Sequence, residues 1–372
     1  MFIRSGCRLP APDLFPLKPM KHLSFFLTLL LLTACAGDPE SGPAPCVGQT
    51  PIQEFYVPGV FRIKLRETTA ELDTRAFTRS GSGSGIAAFD AAATRAGATA
   101  VQRVFSDGER FRERRRRAGL HLWYDVHFSG AISVSEAMER FGRVDEVECI
   151  EPVPRMVPAG ATVSRADFGS AADPGNASIT GFNDPLLVNQ WIYHRVGAAV
   201  GSTAVADLNI FPAWSVSTGH KDVVVAVVDG GIDCTHPDLA ANIWRDGQGA
   251  CGYNFCRHNT EITPSSHGTH VAGTIGAVSN NGIGVCGIAG GDGTPGSGVR
   301  LMSCQIFDEP GRDAATIEEI MVWTADHGAV ISQNSWTYVA GLPDLSQSGK
   351  AAIDYFIAVS YTHLRAHETA AN

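Results

Sequence analysis

No apolar run in the 372 residues is long enough to cross a bilayer as a helix, which takes about 20 residues; the longest is Leu23 to Ala34. A multi-span membrane protein is excluded. Charged residues are sparse, at 18%, and carry no basic excess, with Lys+Arg 29 against Asp+Glu 38 and a formal net charge of −9. Nucleic-acid binders take much of their affinity from Lys and Arg on phosphates, so no nucleic-acid partner is expected. The nine cysteines form no doubled Cys pair of zinc-site spacing, and there is no His-Glu-x-x-His. Zinc chemistry of those two kinds is therefore missing. What is present is 44% hydrophobic residues with 40 Gly and 20 Pro. That is enough to bury real cores, with room for two domains joined by many turns.

The run from Leu23 follows Lys18, Met20 and Lys21 and ends in Leu32-Thr33-Ala34-Cys35. Positive, apolar and small residues in that order mark a secretory signal over 1–34, with Met20 a more conventional start than Met1. Its end resembles a bacterial lipobox, in which Cys35 becomes the lipidated first residue of the mature chain; the alternative is an ordinary signal with a chance Cys. The expected location is outside the cytoplasm, as a membrane-anchored lipoprotein or extracellular, with membrane contact through the lipid anchor alone. Residues 35–54 are Gly/Pro/Ser-rich and read as a tether. Cys7 and Cys35 precede the folded part, and the remaining seven cysteines are an odd number in an export context. Cys251 and Cys256 are the candidate disulfide by proximity.

Between 55 and 156 the patterns run strand (Val60 to Leu65), helix (Ile86 to Ala96), strand (Ala100 to Phe105), strand (His121 to Phe128), helix (Val134 to Phe141) and strand (Val147 to Val153). This β-α-β-β-α-β order predicts a ferredoxin-like α+β unit. The run Arg110 to Arg117 reads as a solvated, protease-sensitive loop. Residues 157–182 lack periodicity and read as a linker. From 183 to 358 the grammar changes. Val223 to Val228, Val299 to Ile306 and Ala329 to Gln333 are continuous apolar runs, as in parallel strands buried on both faces. Helical patterns lie between them at His270 to Ala277 and Ala314 to His327. The expected fold is a doubly wound, mostly parallel α/β sheet with its chemistry at the C-terminal strand ends.

Asp229 stands at such an end, in Val-Val-Asp229-Gly-Gly-Ile-Asp, and Ser266-His267-Gly-Thr-His270-Val-Ala-Gly-Thr opens a small-residue helix. Together the two segments closely resemble the aspartate and histidine motifs of the subtilisin-like serine proteases, the subtilases. The resemblance implies that His267 is the general base for a serine nucleophile. Asp229 would then hold its imidazole in the right tautomer and stabilise the imidazolium. His270, one turn on, is expected to be structural. No catalytic cofactor is implied, and the substrates would be proteins and peptides.

The likeness extends further. Asn183-Asp184-Pro185 with Gln190-Trp191 looks like the start of a mature subtilase domain, and Ser279 to Val285 resembles a loop that holds structural calcium in many members. Asp184, Asp238 and Asn281, with the carbonyls of Ile283 and Val285, would be its oxygen ligands; the alternative is that they are loop and turn residues. Gln333-Asn334-Ser335-Trp336 resembles the family's substrate-pairing edge, so Ser335, Trp336 and Thr337 are candidate substrate-binding residues, with Thr337 where a Gly is common. The ferredoxin-like unit resembles the family's propeptide, an intramolecular inhibitor and folding aid. Residues near 153–160, extended by their prolines, are expected to lie beside Ser335 and Trp336.

The family's Gly-Thr-Ser nucleophile segment and its Ala-Gly-Asn oxyanion segment are both absent from these 372 residues. The polypeptide as written is therefore expected to be an inactive, C-terminally truncated form. Val359 to Thr369 breaks the preceding helical pattern and resembles translated adapter sequence, so residues 359–372 are expected to be an artefactual tail. The competing reading is a non-catalytic peptide-binding protein that keeps the cleft. A metal hydrolase using His267 and His270 is a distant third.

Overall fold

The computed structural model describes residues 55–75, 83–106, 108–129, 131–158, 181–190, 192–193, 207–308, 315–338 and 345–360. The expected signal over 1–34, Cys35, the expected tether over 35–54 and residues 361–372 lie outside them. All the described residues belong to one compact unit that starts at Thr50.

Within that unit β1 (Tyr56–Leu65), β2 (Ala98–Arg103), β3 (Trp123–Phe128) and β4 (Val147–Pro154) form an antiparallel sheet in the order β2-β3-β1-β4. This is the ferredoxin-like arrangement that the element order predicts. Helices α1 (Ala87–Arg95) and α3 (Val134–Phe141) supply Phe89 and Phe141 to one face, against Phe61, Ile63 and Leu65 of β1. Because strand side chains alternate, Arg62 of β1 and Trp123 of β3 point the other way. That second face is covered too: Trp123, Phe105, Leu120 and Met156 share a buried cluster with Ile317, Ile320, Tyr355 and Phe356 of the C-terminal half.

The arginine run is helical rather than a loop, and although Arg110, Arg112, Arg116 and Arg117 are exposed, Arg114 and Arg115 are not. Residues Arg112–Arg117 form helix α2. The Arg115 guanidinium donates to Asp326 Oδ2 at 2.6 Å from Nη2 and 2.9 Å from Nε, Arg114 pairs with Asp326 as well, and the Asp326 side chain is 0% exposed. The loop reading fails because Arg114 and Arg115 neutralise a buried carboxylate on an element more than 200 residues away in sequence.

The C-terminal half is built on a parallel sheet of β6 (Val224–Asp229), β7 (Gly252–Asn254), β8 (Arg300–Gln305) and β9 (Ile331–Asn334), ordered β7-β8-β6-β9. Before it lies a short helix, α4 (Ile210–Trp214), whose Trp214 packs on Phe182. On β6, Val225 and Val227 face α5 (Ser266–Gly276), while Ala226 and Val228 face α6 (Ile317–Asp326) and α7 (Gln347–Ser360). Helices thus cover both faces, and the sheet is doubly wound. Strand β6 has β8 on one side and β9 on the other, so the chain's direction of travel reverses around it. The crevice such a reversal opens lies beyond the C-terminal ends of the strands, where Asp229 is the last residue of β6.

Three boundaries move. Val157 and Pro158, the expected first residues of the linker, belong to strand β5 (Met156–Pro158). Phe182, its expected last residue, packs in the C-terminal half with Leu187 and Tyr193. Helix α7 runs through Val359 and Ser360, with Ser360 Oγ donating to Phe356 O at 2.6 Å, so no break follows residue 358. The disulfide also differs: Cys251 is bonded to Cys234, not to Cys256. Spacing favoured the nearer cysteine. The fold instead carries Cys251 back to the loop that follows β6.

Candidate active site

Asp229 ends a strand buried on both faces and is 3% exposed. Its Oδ1 accepts from the Gly230 N–H at 2.6 Å. His267 is the second residue of α5, which starts at Ser266, where the His motif opens it and four residues before the apolar pattern from His270. The helix begins there because Ser265 caps it, its Oγ accepting from the Gly268 N–H at 2.9 Å. His267 Nδ1 lies 2.9 Å from Oδ1 and 2.9 Å from Oδ2 of Asp229, while its side chain remains 54% exposed. One ring nitrogen is thus held by a buried carboxylate and the ring opens to the crevice. That is the geometry of an oriented general base. His270 is exposed on the same helix, and no group of three or more His, Cys, Asp or Glu side chains able to hold a metal occurs among the described residues.

Backbone contact makes this approach feasible. Gly231 has φ +101, and a Cβ there would lie 2.4 Å from Thr263 O; a Cβ on Gly268 would lie 2.5 Å from Gly231 O. The loop after Asp229 and the start of α5 can touch only where side chains are missing.

Strand β10 (Trp336–Tyr338) follows β9 after Ser335 and pairs antiparallel with β5: Trp336 with Pro158, Thr337 with Val157, Tyr338 with Met156. Ser335 Oγ accepts from Gln333 Nε2 at 2.8 Å, and the Trp336 indole donates to Asn334 Oδ1 at 3.1 Å. Since Asn334 pairs with Val228, the residue before Asp229, the segment Ser335 to Thr337 leads away from the strand end that carries the Asp–His pair.

The structure gathers Asp184, Asp238 and Asn281 as well. Asn280 N–H donates to Asp184 Oδ2 at 2.6 Å, Asn281 Nδ2 to Asp238 Oδ1 at 2.9 Å, and Val285 N–H to Asp238 Oδ2 at 2.9 Å. Both aspartates are buried, at 2% and 3% exposure. Burial raises the Asp238 carboxyl above its ordinary range, and the charge of Asp184 adds to the rise.

Sequence reasoning missed four residues that position these parts. Arg62 is buried in an ion pair with Glu318 (Nη1 to Oε1, 2.7 Å). Glu151 accepts the first two N–H groups of α7, from Gln347 at 2.8 Å and Ser348 at 3.0 Å. The others are Asp326 and Ser265. Only Ser265 carried a local signal, a Ser directly ahead of a small-residue helix.

Residues 220–370 match the family model described as "Subtilase family". Neuroendocrine convertase 2 of Bos taurus is 35% identical over 127 residues, covering 32% of this chain and 19% of that protein. Fervidolysin of Fervidobacterium pennivorans is 36% identical over 155 residues, 38% of this chain and 20% of that protein. An extracellular protease of Xanthomonas campestris pv. campestris is 32% identical over 210 residues, 46% and 33% of the two chains. The crystal structure of fervidolysin, described as a keratinolytic enzyme related to subtilisin, superposes with a TM-score of 0.53 at 21% identity, covering 83% of this chain and 39% of that one, a likeness of fold. The chain therefore spans about a fifth to a third of the length of these curated relatives. Over residues 220–370, the segment that holds the Asp229–His267 contact, this chain is similar to the subtilase family.

Proposed function

We propose that the chain is the precursor of an exported, lipid-anchored serine endopeptidase of the subtilisin type, which hydrolyses peptide bonds in proteins. The observation that carries the reading is the 2.9 Å contact of His267 Nδ1 with both oxygens of the buried Asp229. With Nδ1 held, Nε2 is the nitrogen that takes the proton of a serine hydroxyl and returns it to the leaving amine. Neither a Gly-Thr-Ser nor an Ala-Gly-Asn segment occurs in the 372 residues, so this polypeptide is proposed to be inert by itself. Losing one oxyanion donor alone costs roughly 10²–10³ in turnover.

In this reading residues 55–156 are the propeptide and partner, and β5 is a built-in occupant of the substrate cleft. Its pairing with β10 is strand addition, in which main-chain bonds give affinity and side-chain pockets give selectivity. Trp336 and Thr337 would pair with substrate in the same way, Ser335 lying at the start of that edge. A second reading rests on the same pairing: β10 can hold an extended peptide without any nucleophile, as a non-catalytic binder would.

A structural calcium fits the Asp184–Asp238 loop. Two carboxylates at 2% and 3% exposure beside the same loop offer oxygens of the kind hard cations take from carboxylates, amides and carbonyls. Asp184, Asp238, the Asn281 amide oxygen and the carbonyls of Ile283 and Val285 would hold it and fix the loop. Gly284, φ +61, keeps that cradle open, since a Cβ there would lie 2.0 Å from Asp238 Oδ2.

The test is to join a subtilase serine segment to the chain. The restored protein should cut itself within 157–182 and then digest casein, and His267→Ala should leave the precursor whole. A restored protein that neither matures nor digests casein, yet binds peptides at β10, establishes the binding module instead. For the anchor, Cys35→Ser should abolish lipid labelling and release the protein from the membrane fraction; unchanged labelling rejects it.

A further inference from the structure

We propose that Ser265 is the positioning residue that sets the Asp229–His267 geometry; the proposal rests on the reading of those two residues as acid and base. Asp229 and His267 sit on separate elements, 38 positions apart in sequence. Something must fix the end of β6 against the start of α5. Ser265 touches both. Its Oγ accepts the Gly268 N–H at 2.9 Å and so caps the helix whose second residue is His267. Its N–H donates to Gly231 O at 3.1 Å, and its Oγ lies 3.4 Å from the same oxygen. Gly231 is two residues beyond Asp229.

The hydroxyl is thus shared between the helix start and the aspartate loop. The packing leaves it no slack: a Cβ on Gly230 would lie 2.7 Å from Ser265 Oγ, and one on Gly268 would lie 2.5 Å from Gly231 O. A second tie, Asp233 N–H to Thr269 Oγ1 at 2.9 Å, holds the loop further from Asp229. A third, Ile232 N–H to Ser303 Oγ at 3.1 Å, fixes the loop to β8 but does not touch α5. Of these three side chains only Ser265 both caps α5, at the Gly268 N–H, and bonds Gly231, two residues beyond Asp229. Removing it frees the helix start to shift while Asp229 stays anchored in the sheet.

Nuclear magnetic resonance of the full chain labelled with ¹⁵N-histidine reads the result directly, with His267→Gln identifying the signal. The parent should show a solvent-protected Nδ1 proton on His267, bonded to carboxylate. Ser265→Ala should raise the exchange rate of that proton by about fivefold or more, the factor that losing an ordinary helix cap corresponds to, and should shift the ring toward the Nε2–H tautomer. Ser265→Thr, which keeps the hydroxyl, should restore both. Ser133→Ala removes a comparable cap, on the Glu136 N–H at 3.1 Å in α3. It should lower the melting temperature and leave the His267 proton alone, which separates positioning from general stability. An unchanged proton and tautomer in folded Ser265→Ala overturns the proposal. Absence of the protected proton from the parent itself would instead overturn the acid–base reading beneath it.

Discussion

Replacing Arg62 by Met should be among the most damaging single changes outside the Asp–His pair, and replacing Glu318 along with it should repair most of the damage. Arg62 is 1% exposed and Glu318 2%. Nη1 reaches Glu318 Oε1 at 2.7 Å, and Nε and Nη2 reach the two oxygens of Asp125 at 2.7 and 3.0 Å. Breaking a buried pair from one side costs about 3–5 kcal/mol, because the remaining charge has lost its counter-charge in a low-dielectric site. Glu318 keeps a hydrogen bond from Ser348 Oγ at 2.6 Å, which places Arg62→Met near the lower end, about 3 kcal/mol. At about 2–4 °C per kcal/mol for a domain of this size, the melting midpoint should fall by roughly 6–12 °C.

The double variant Arg62→Met/Glu318→Leu exchanges the pair for apolar volume and should lie close to the parent, since such exchanges are often neutral or stabilising. Thermal and urea unfolding of the parent, both singles and the double complete the cycle. Additive effects, with the double as unstable as the sum of the singles, would refute the reasoning. The pH dependence has a definite sign. Burial pushes the Glu318 carboxyl up, but the charge of Arg62 and the Ser348 hydrogen bond outweigh it, and the net shift is downward. A carboxyl lowered in the fold contributes fully above its unfolded value, about 4.3, and loses that contribution as pH falls through its folded value. The coupling should therefore be the same at pH 7 and pH 5 and vanish only in stronger acid.

Cys251→Ser opens the Cys234–Cys251 bridge, whose sequence separation is 17, and should cost about 3 kcal/mol on the chain-entropy model; a parent whose melting is indifferent to reducing agent would contradict it. Calcium at 100 times its dissociation constant should stabilise the parent by about 2.7 kcal/mol, reversed by chelator and lost in Asp238→Asn, and an unchanged melt with calcium would remove the ion from the Asp184–Asp238 loop. Gly268→Ala drives a Cβ to 2.5 Å from Gly231 O and should cost about 1–3 kcal/mol as an overpacked contact; an unaffected melt would mean the loop gives way.

Elements whose cause is local were legible in the sequence. Helix α3 falls where the apolar spacing puts it, from Val134 to Phe141, because Ser133 caps it and its apolar residues lie on one face. Buried β6 reads as a strand because apolar residues face helices on both sides. Asp229 and His267 are legible because Val-Val-Asp229-Gly-Gly and Ser266-His267-Gly-Thr-His270 together resemble the subtilase motifs. What was not legible depends on distant partners. Alternation marks Arg62 as lying on the polar face of β1, and nothing in the sequence shows that a helix with Glu318 covers that face. The arginine run has the composition of a solvated segment until Asp326 is brought beneath it. Disulfide partners follow the path of the chain rather than the spacing of cysteines, so Cys251 was matched to the wrong neighbour.

The covered edge at β10 bears on the chain's behaviour in company as well as on its chemistry. A three-residue strand with unmatched N–H and C=O groups is a template for any extended segment that drifts past, a neighbouring copy included. With Met156 to Pro158 already hydrogen-bonded along Trp336 to Tyr338, that template is filled from within the same molecule. Crowded copies therefore cannot zip together through this edge. The pairing that occupies this edge denies it to neighbouring copies through the same three residue pairs.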